Sequence, residues 1–288
     1  MFSGSIVALV TPLNNGAVDE KALAELVEFH IANGTSAVVP CGTTGESATM
    51  DHKEHIRCIQ VVLEAAAGRI QVIAGTGSNS TREAVYLTGE AGRLGADAAL
   101  LVSPYYNKPT QEGLYQHYRT VAESSKIPII LYNVPSRTGS NIEPETVARL
   151  SEVPKVAAIK EASGSLDQAS KIASLCGITI LSGDDSLPLP LMSVGAKGVI
   201  SVAANVVPDR VAALTGTWLA GDAEGARKIH YELFPLFKVL FIETNPIPVK
   251  AAVAALGKVR EEYRLPLCPM AESNKAKLLT VMRGMGLI

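Results

Sequence analysis

Apolar residues recur along the chain in eight short runs, and helical spacing of apolar residues follows most of them. The runs are GSIVALVTP, SAVVPCG, QVIAGTG, DAALLVSP, IPIILYNVP, VAAIKEAS, ITILSGDD and KGVISVAAN. They are almost continuously apolar, which is typical of parallel strands covered on both faces. Segments such as DEKALAELVEFHIANG and STREAVYLTGEAGRLG predict the helices between them.

Eight strand–helix units without a change in composition favour a closed barrel over an open, doubly wound sheet. From Asp222 onward the pattern is helical, in AEGARKIHYELFPLFKVLF, IPVKAAVAALG and SNKAKLLTVMRGMG. We therefore predict an α/β fold, a (β/α)8 TIM barrel over residues 1–221 with a C-terminal helical region over residues 222–288.

Composition narrows the class of protein. Hydrophobic residues make up 47% of the chain and charged residues 19%, with a net charge of −2, so the chain is globular and nucleic acid is not an expected partner. The first residues lack the features of a signal peptide, and no apolar stretch reaches the roughly 20 residues of a membrane helix. Four scattered cysteines indicate reduced thiols, so we expect a cytoplasmic protein.

One lysine stands where the chemistry of such a barrel is expected. Active sites of these barrels lie at the carboxyl ends of the strands. Lys155 and Lys197 begin strands six and eight, Lys108 is in a loop, and Lys250 belongs to the helical region. Lys160 alone lies late in a predicted strand.

The surroundings of Lys160 allow two interpretations. Strand alternation would place Val156, Ala158 and Lys160 on one face, where small neighbours leave room in the barrel interior. Burial disfavours the charged ammonium, which would give an amine nucleophile. The alternative is a structural lysine paired with Glu161 or another carboxylate.

Hydroxyl groups and one guanidinium follow the other predicted strands, in CGTTGES, PYYNKP and YNVPSRTG. We expect five of these side chains around one rim: Thr43, Thr44, Tyr106, Tyr132 and Arg137. Hydroxyls can relay protons during imine formation, and an arginine fork recognises a carboxylate. CGTTGES alone could be a glycine turn before a helix, and it does not have the spacing of a phosphate-binding loop.

Six motifs occur in order along the chain: GTTGES, PYYNKPTQEGLYQHY, LYNVPSRTG, IKEASG, LSGDD and NPIPVK. With them the chain resembles, over nearly its whole length, the dihydrodipicolinate synthase family of pyruvate-dependent class I aldolases, relatives of N-acetylneuraminate lyase. The resemblance implies that Lys160 forms a Schiff base with pyruvate. The derived enamine attacks L-aspartate 4-semialdehyde, and ring closure gives 4-hydroxy-tetrahydrodipicolinate for lysine and diaminopimelate synthesis. It implies no metal and no organic cofactor.

The resemblance also assigns a proton relay. It implies that Thr44, Tyr132 and Tyr106 pass protons to and from the reacting groups. In this family the tyrosine at the position of Tyr106 reaches into the active site of a neighbouring subunit, and the chains commonly form a tetramer of two tight dimers. We therefore expect a homotetramer.

Substrate contacts follow from the same resemblance. Thr43 and the backbone regions of Gly183 and Ile200 are implied to hold the carboxylate of pyruvate and to shape the pocket. Arg137 is implied to meet the carboxylate of the semialdehyde, and it distinguishes a synthase from the sugar-acid lyases.

Many members of the family carry a feedback site for L-lysine. The matching positions are Ser47, Ala48, His52, His55, Asn79, Glu83 and Tyr105. Glu83 could pair with the α-ammonium of the ligand, a histidine with its side-chain amine, and Tyr105 with its carboxylate. Alternatively, Glu83 caps a helix through Ser80, and the two histidines lie on a solvated helix face.

Three other functions compete with the synthase. His52 and His55, three residues apart on a helix, could hold a divalent metal in an aldolase or hydrolase, although no third ligand cluster is evident. The same lysine chemistry could serve N-acetylneuraminate or keto-deoxy sugar-acid cleavage. A barrel of this kind could also be a binding protein without catalysis.

Overall fold

Eight parallel strands close into a barrel in the computed structural model, which describes residues 2–288. Each strand pairs with its neighbours in the chain, and the first strand pairs with the last. The strands are β1 (Gly4–Ala8), β2 (Ala37–Val39), β3 (Gln71–Gly75), β4 (Ala98–Val102), β5 (Ile129–Asn133), β6 (Val156–Glu161), β7 (Thr179–Ser182) and β8 (Gly198–Ser201). All eight predicted strands are confirmed.

A helix follows every strand, which confirms the predicted (β/α)8 barrel. These helices are α1 (Glu20–Ala32), α2 (His52–Ala66), α3 (Thr81–Leu94), α4 (Gln111–Ser124), α5 (Pro144–Ser151), α6 (Leu166–Leu175), α7 (Pro188–Ser193) and α8 (Pro208–Leu219). Side-chain caps fix several starts: Asp19, Asp51 and Thr110 accept hydrogen bonds from the first turns of α1, α2 and α4.

Alternation along the strands separates two apolar layers. Ile6, Ile73 and Ile130 lie in the cluster that fills the barrel, whereas Val7 and Leu131 pack outward against the helices. Both faces of each strand are therefore buried, and this explains the nearly continuous apolar runs in the sequence.

The prediction that Val156 shares a strand face with Lys160 is wrong. Ile129 pairs with Val156, but the next residue, Ile130, pairs with Ala158, so β6 carries an irregularity at Ala157. Val156 consequently packs in the outer layer, and Ala158 lies in the barrel interior. The bulge changes the face only below Ala158, so Lys160 still points to the interior.

Three further helices follow the barrel: α9 (Ala223–Val239), α10 (Ile247–Ala255) and α11 (Glu272–Gly284). Their residues Phe237, Val249 and Leu278 belong to the same apolar cluster as Val7 of β1. The predicted C-terminal helices are therefore confirmed, while the division into two regions at residue 221 stays a prediction. No helix within residues 2–288 is both long enough and apolar enough to span a bilayer.

Candidate active site

Lys160 occupies the second-to-last position of β6, at the end of the barrel where the strands finish. Only 5% of the side chain is exposed. Its amine lies 4.2 Å from the centre of the ring of Tyr132, the residue paired with it on β5. The strand pairing thus puts a phenol and a primary amine side by side in the barrel.

A cavity of about 170 Å³ opens around this pair. Six of the predicted site residues line it: Thr43, Thr44, Tyr132, Arg137, Lys160 and Gly183. The structure therefore gathers residues from the ends of β2, β5, β6 and β7. Such a cavity, with an amine, hydroxyls and a guanidinium, can hold a small carboxylate and supply protons to it.

Thr44 is fixed by a residue from the C-terminal region. Its side chain is 2% exposed and its hydroxyl accepts a hydrogen bond of 3.0 Å from the amide nitrogen of Asn245. The backbone carbonyl of Asn245 accepts a second hydrogen bond, of 3.2 Å, from the guanidinium of Arg137. One residue of the linker before α10 therefore holds two predicted site residues in place.

Gly183 brings its backbone close to the end of β6. Its N–H donates a hydrogen bond of 2.8 Å to the carbonyl of Glu161, and a Cβ at this position would lie 2.4 Å from that of Ala162. A larger residue would push this wall of the cavity away. Ile200, in contrast, is fully buried in the barrel interior, below the cavity.

Tyr106 does not line the cavity of its own chain. The side chain is 90% exposed, and its backbone has a positive φ of 73°, which a non-glycine residue adopts rarely. The loop after β4 therefore directs this tyrosine away from Lys160 and into solvent.

The predicted alternative pairing of Lys160 with Glu161 is not what the structure contains. The Glu161 carboxylate is buried, and it accepts hydrogen bonds from Asn133, Ser163 and Gln168. Adjacent residues of a strand point to opposite faces, so this carboxylate and the Lys160 amine are separated by the sheet.

Among the cavity residues that sequence reasoning missed are Asp184, Phe241 and Asn245. Burial raises the pKa of Asp184, and the neighbouring Lys160 opposes that shift. Asp184 and Asn245 lie in the motifs LSGDD and NPIPVK, so the motifs include these positions, although no role was predicted for either side chain. Phe241 carries no local signal, because only the packing of α9 on the barrel brings it to the cavity.

A second cavity, of about 420 Å³, lies beside the first. Six of the seven predicted L-lysine positions line it: Ser47, Ala48, His52, His55, Glu83 and Tyr105. The seventh, Asn79, donates a hydrogen bond of 3.2 Å to the Tyr105 carbonyl at its edge. Thr43, Arg137 and Asn245 line both cavities, so the two share a wall.

The capping interpretation of Glu83 is wrong. Ser80 precedes α3, but its side chain makes no capping hydrogen bond, and its N–H donates to the hydroxyl of Ser78. Glu83 instead contacts Ser78 and His52, which lower the pKa of its carboxyl. Glu83 is therefore an ionised carboxylate in the wall of the larger cavity.

The two histidines of α2 differ in their surroundings. His52 is about half exposed and contacts Glu83, whereas His55 is 5% exposed and donates from Nε2 to the Gly75 carbonyl over 2.7 Å. Burial lowers the pKa of His55, so its ring is neutral and Nδ1 is the acceptor nitrogen. The interpretation that both histidines lie on a solvated helix face is therefore confirmed for His52 and wrong for His55. Within residues 2–288, no group of three or more potential metal ligands lies close together.

A buried lysine at the end of a barrel strand, beside a phenol and within a small polar cavity, defines a Schiff-base aldolase. A model of the dihydrodipicolinate synthetase family matches residues 1–284, and the chain belongs to this family.

Curated relatives match over the full length of both chains. The chain is 60% identical to a 4-hydroxy-tetrahydrodipicolinate synthase of Geotalea uraniireducens and 58% identical to one of Thermodesulfovibrio yellowstonii, with 100% of each chain covered. The predicted function is confirmed: the chain is a lyase of the class I aldolase type, and the sugar-acid lyase alternative is not favoured.

Several solved structures share this fold. The crystal structure of dihydrodipicolinate synthase from Aquifex aeolicus is 54% identical, with 99% of each chain covered and a TM-score of 0.98. The chloride-inhibited synthase from Acinetobacter baumannii, complexed with pyruvate, is 47% identical, with full coverage of both chains and a TM-score of 0.98. The synthase from Cyanidioschyzon merolae with lysine bound is 41% identical, with 100% of this chain and 99% of that chain covered and a TM-score of 0.97.

Proposed function

We propose that Lys160 is the nucleophile that binds pyruvate in the smaller cavity. Its amine attacks the ketone carbon, a carbon–nitrogen bond forms, and water leaves to give the imine. Loss of a proton from the methyl group gives the enamine, whose carbon attacks the aldehyde of L-aspartate 4-semialdehyde. The amine of that substrate then attacks the imine carbon, closes the ring and releases Lys160. The observation that carries this proposal is the position of the buried amine beside Tyr132.

One wall of the smaller cavity is suited to bind the carboxylate of pyruvate. The backbone N–H groups of Thr43 and Thr44 donate no hydrogen bond within residues 2–288, and both residues line the cavity. Free N–H groups in a turn form a cradle for anions. Bound there, pyruvate would direct its ketone toward Lys160. The Acinetobacter baumannii synthase in its complex with pyruvate supports this substrate.

The proton relay combines two residues of this chain with one from a neighbouring subunit. Tyr132 lies against the amine of Lys160, and Thr44 is held by Asn245. The Tyr106 side chain is 90% exposed, so it is free to enter the cavity of a partner subunit. This arrangement requires at least a dimer, and we propose the homotetramer as the assembled state.

Arg137 is proposed to bind the carboxylate of the semialdehyde. It lies in the wall between the two cavities, where its guanidinium is held by the Asn245 carbonyl and keeps further donors free. A second substrate that approaches Lys160 in the smaller cavity would bring its carboxylate within reach of this side chain, because both residues line that cavity.

Trapping with borohydride tests the proposed nucleophile. Reduction of the imine in the presence of pyruvate should attach a three-carbon acid to one lysine, and peptide mapping should place it on Lys160. Lys160→Ala should remain folded by circular dichroism and gain no adduct. Lys155→Ala, at the opposite end of the same strand, is the matched control and should be trapped like the wild type. An adduct on Lys108 or Lys250 would contradict the proposal.

The larger cavity is proposed as an inhibitory site for L-lysine. The ionised Glu83 would pair with the α-ammonium of the ligand, and the neutral ring of His55 would accept a hydrogen bond from its side-chain amine. Tyr105 would meet the ligand's carboxylate. The Cyanidioschyzon merolae synthase with lysine bound supports a lysine ligand. Because Thr43, Arg137 and Asn245 line both cavities, a ligand in the larger cavity would lie against residues that also form the catalytic cavity.

We also propose that the enzyme works in the cytoplasm. All four cysteines are free thiols, and Cys268 is exposed. Free thiols persist in reducing compartments. Fractionation of cells with an antibody to the chain tests this location, and recovery in an extracytoplasmic fraction would contradict it.

A further inference from the structure

A buried ion pair joins the C-terminal region to the loop after β2, which contributes Thr43 and Thr44 to the smaller cavity. The amine of Lys250, on α10, contacts the carboxylate of Glu46, which follows β2. Lys250 is 0% exposed and Glu46 is 4% exposed. Fully buried charges are costly unless they are paired. Glu46 also lines the larger cavity, but neither residue lines the smaller cavity or is one of the predicted lysine positions.

Glu46 has an unusual backbone for its residue type. Its φ of 58° and ψ of 31° lie in the left-handed region, which costs free energy for a residue with a Cβ. Its N–H donates to the Thr43 carbonyl over 3.1 Å, and its own carbonyl accepts from the N–H of Thr49. A strained residue persists only where its surroundings hold it, and Lys250 is the charged group in contact with its side chain.

The segment around Glu46 connects the two cavities. Thr43 and Thr44, just before it, line the smaller cavity, and Ser47 and Ala48, just after it, line the larger one. A change in the backbone at Glu46 would therefore move groups of both sites at once.

Lys250 is itself fixed from the far side. Its amine donates a hydrogen bond of 2.8 Å to the carbonyl of Glu262 and lies 5.5 Å from the centre of the Tyr263 ring. The carboxylate of Glu262 accepts a hydrogen bond from the N–H of Asn15, in the turn between two short antiparallel strands, Leu13–Asn14 and Ala17–Val18. The ammonium is thus held between the loop after β2, which contains Glu46, and the loop between α10 and α11, which contains Glu262.

We propose that Glu46 and Lys250 are positioning residues, which fix the segment 43–48 so that Thr43 and Thr44 at the smaller cavity and Ser47 and Ala48 at the larger one are set together. The inference rests on the proposed functions of Lys160 and of the larger cavity. The pair touches no reacting atom; it acts through the backbone of Thr43, Thr44, Ser47 and Ala48.

The double variant Glu46→Gln with Lys250→Met tests the proposal without leaving an unpaired buried charge. Displacement of reacting groups by about 1 Å can cost a hundred-fold in rate. We expect kcat and the rate of pyruvate trapping by borohydride to fall by about ten- to a hundred-fold, and L-lysine to bind at least about ten-fold more weakly. Arg210→Met, which removes the exposed pair with Glu232, is the matched control and should leave these constants unchanged.

Measurements are made well below the unfolding temperature of each variant, so that a loss of stability alone does not lower the rate. If the double variant does not fold, Glu46→Gln alone is measured in the same way. Wild-type rates of trapping and wild-type lysine affinity in a folded variant would overturn the positioning role. Failure of the wild-type chain to trap pyruvate on Lys160 would instead overturn the proposed nucleophile, so the two failures are distinguishable.

Discussion

Tyr132 and Lys160 are partners on adjacent strands, and the amine of Lys160 lies 4.2 Å from the centre of the Tyr132 ring. The pair joins two chemical groups that a Schiff-base reaction needs, a nucleophile and a hydroxyl that can carry protons. Because both residues lie within strands, the hydrogen bonds of the barrel fix their separation rather than a flexible loop.

Tyr132→Phe removes the hydroxyl and leaves the ring against Lys160. Because a positioned acid–base group contributes about 10²- to 10⁴-fold, we expect kcat to fall by that order, while the borohydride adduct still forms on Lys160 at a lower rate. Steady-state kinetics and timed trapping measure the two effects. Tyr115→Phe, on the outer helix α4, is the control. A wild-type kcat in Tyr132→Phe would remove this residue from the relay.

Arg137→Ala should impair the second substrate more than the first. Loss of a charged hydrogen bond costs about 1.5–3 kcal/mol, so the specificity constant for the semialdehyde should fall by about ten- to a hundred-fold. Pyruvate trapping on Lys160 should continue at a rate near that of the wild type. Arg149→Ala, which removes a surface pair with Glu112, controls for the loss of a charge. An equal loss in both measurements would show that Arg137 only braces its loop.

Mixed oligomers test the action of Tyr106 in a neighbouring subunit. Tyr106→Phe and Lys160→Ala should each be nearly inactive alone. Co-refolding the two variants should restore activity, because a Lys160→Ala subunit can lend its tyrosine to the intact lysine of a Tyr106→Phe subunit. If Tyr106 served its own chain, no combination would contain a complete site. Mixtures without activity would therefore contradict the proposal.

Glu83→Gln tests the lysine site. The change removes the carboxylate charge at nearly constant volume, so calorimetric titration should show about ten- to a hundred-fold weaker binding of L-lysine, with correspondingly weaker inhibition. Glu90→Gln, on the exposed face of the same helix and paired with Arg93, should bind lysine as the wild type does. Absence of both heat and inhibition at millimolar lysine in the wild type would contradict the proposed site.

His117 should make the protein less stable in mild acid. Burial lowers its pKa to about 4, from an ordinary value of 6.5. Between these values the unfolded chain binds a proton that the folded chain does not, so the free energy of unfolding falls as the pH decreases through this window, by at most about 1.4 kcal/mol per pH unit. Urea unfolding at pH 7 and pH 4.5 should show a loss that is smaller in His117→Gln, by up to about 3 kcal/mol. An identical loss in both proteins would contradict this contribution.

The hydrophobic pattern determined the barrel, because strands buried on both faces need continuous apolar runs and each helix needs one apolar stripe. The same pattern placed Lys160 at the reactive end of β6, because in a parallel barrel all strands finish on one side. The order of motifs was enough to identify the family. These properties depend on residues that are close in the sequence.

Contacts between distant parts of the chain decided the rest. Asn245 reaches Thr44 from 201 positions away, and Lys250 reaches Glu46 across a similar separation in the chain. The bulge at Ala157 turned Val156 to the outer layer. Glu83 contacts Ser78 and His52 instead of Ser80, so its carboxylate lies in a cavity wall and does not cap a helix. Local spacing could not predict these contacts, because a side chain takes its partner from what the folded backbone brings within a few ångströms.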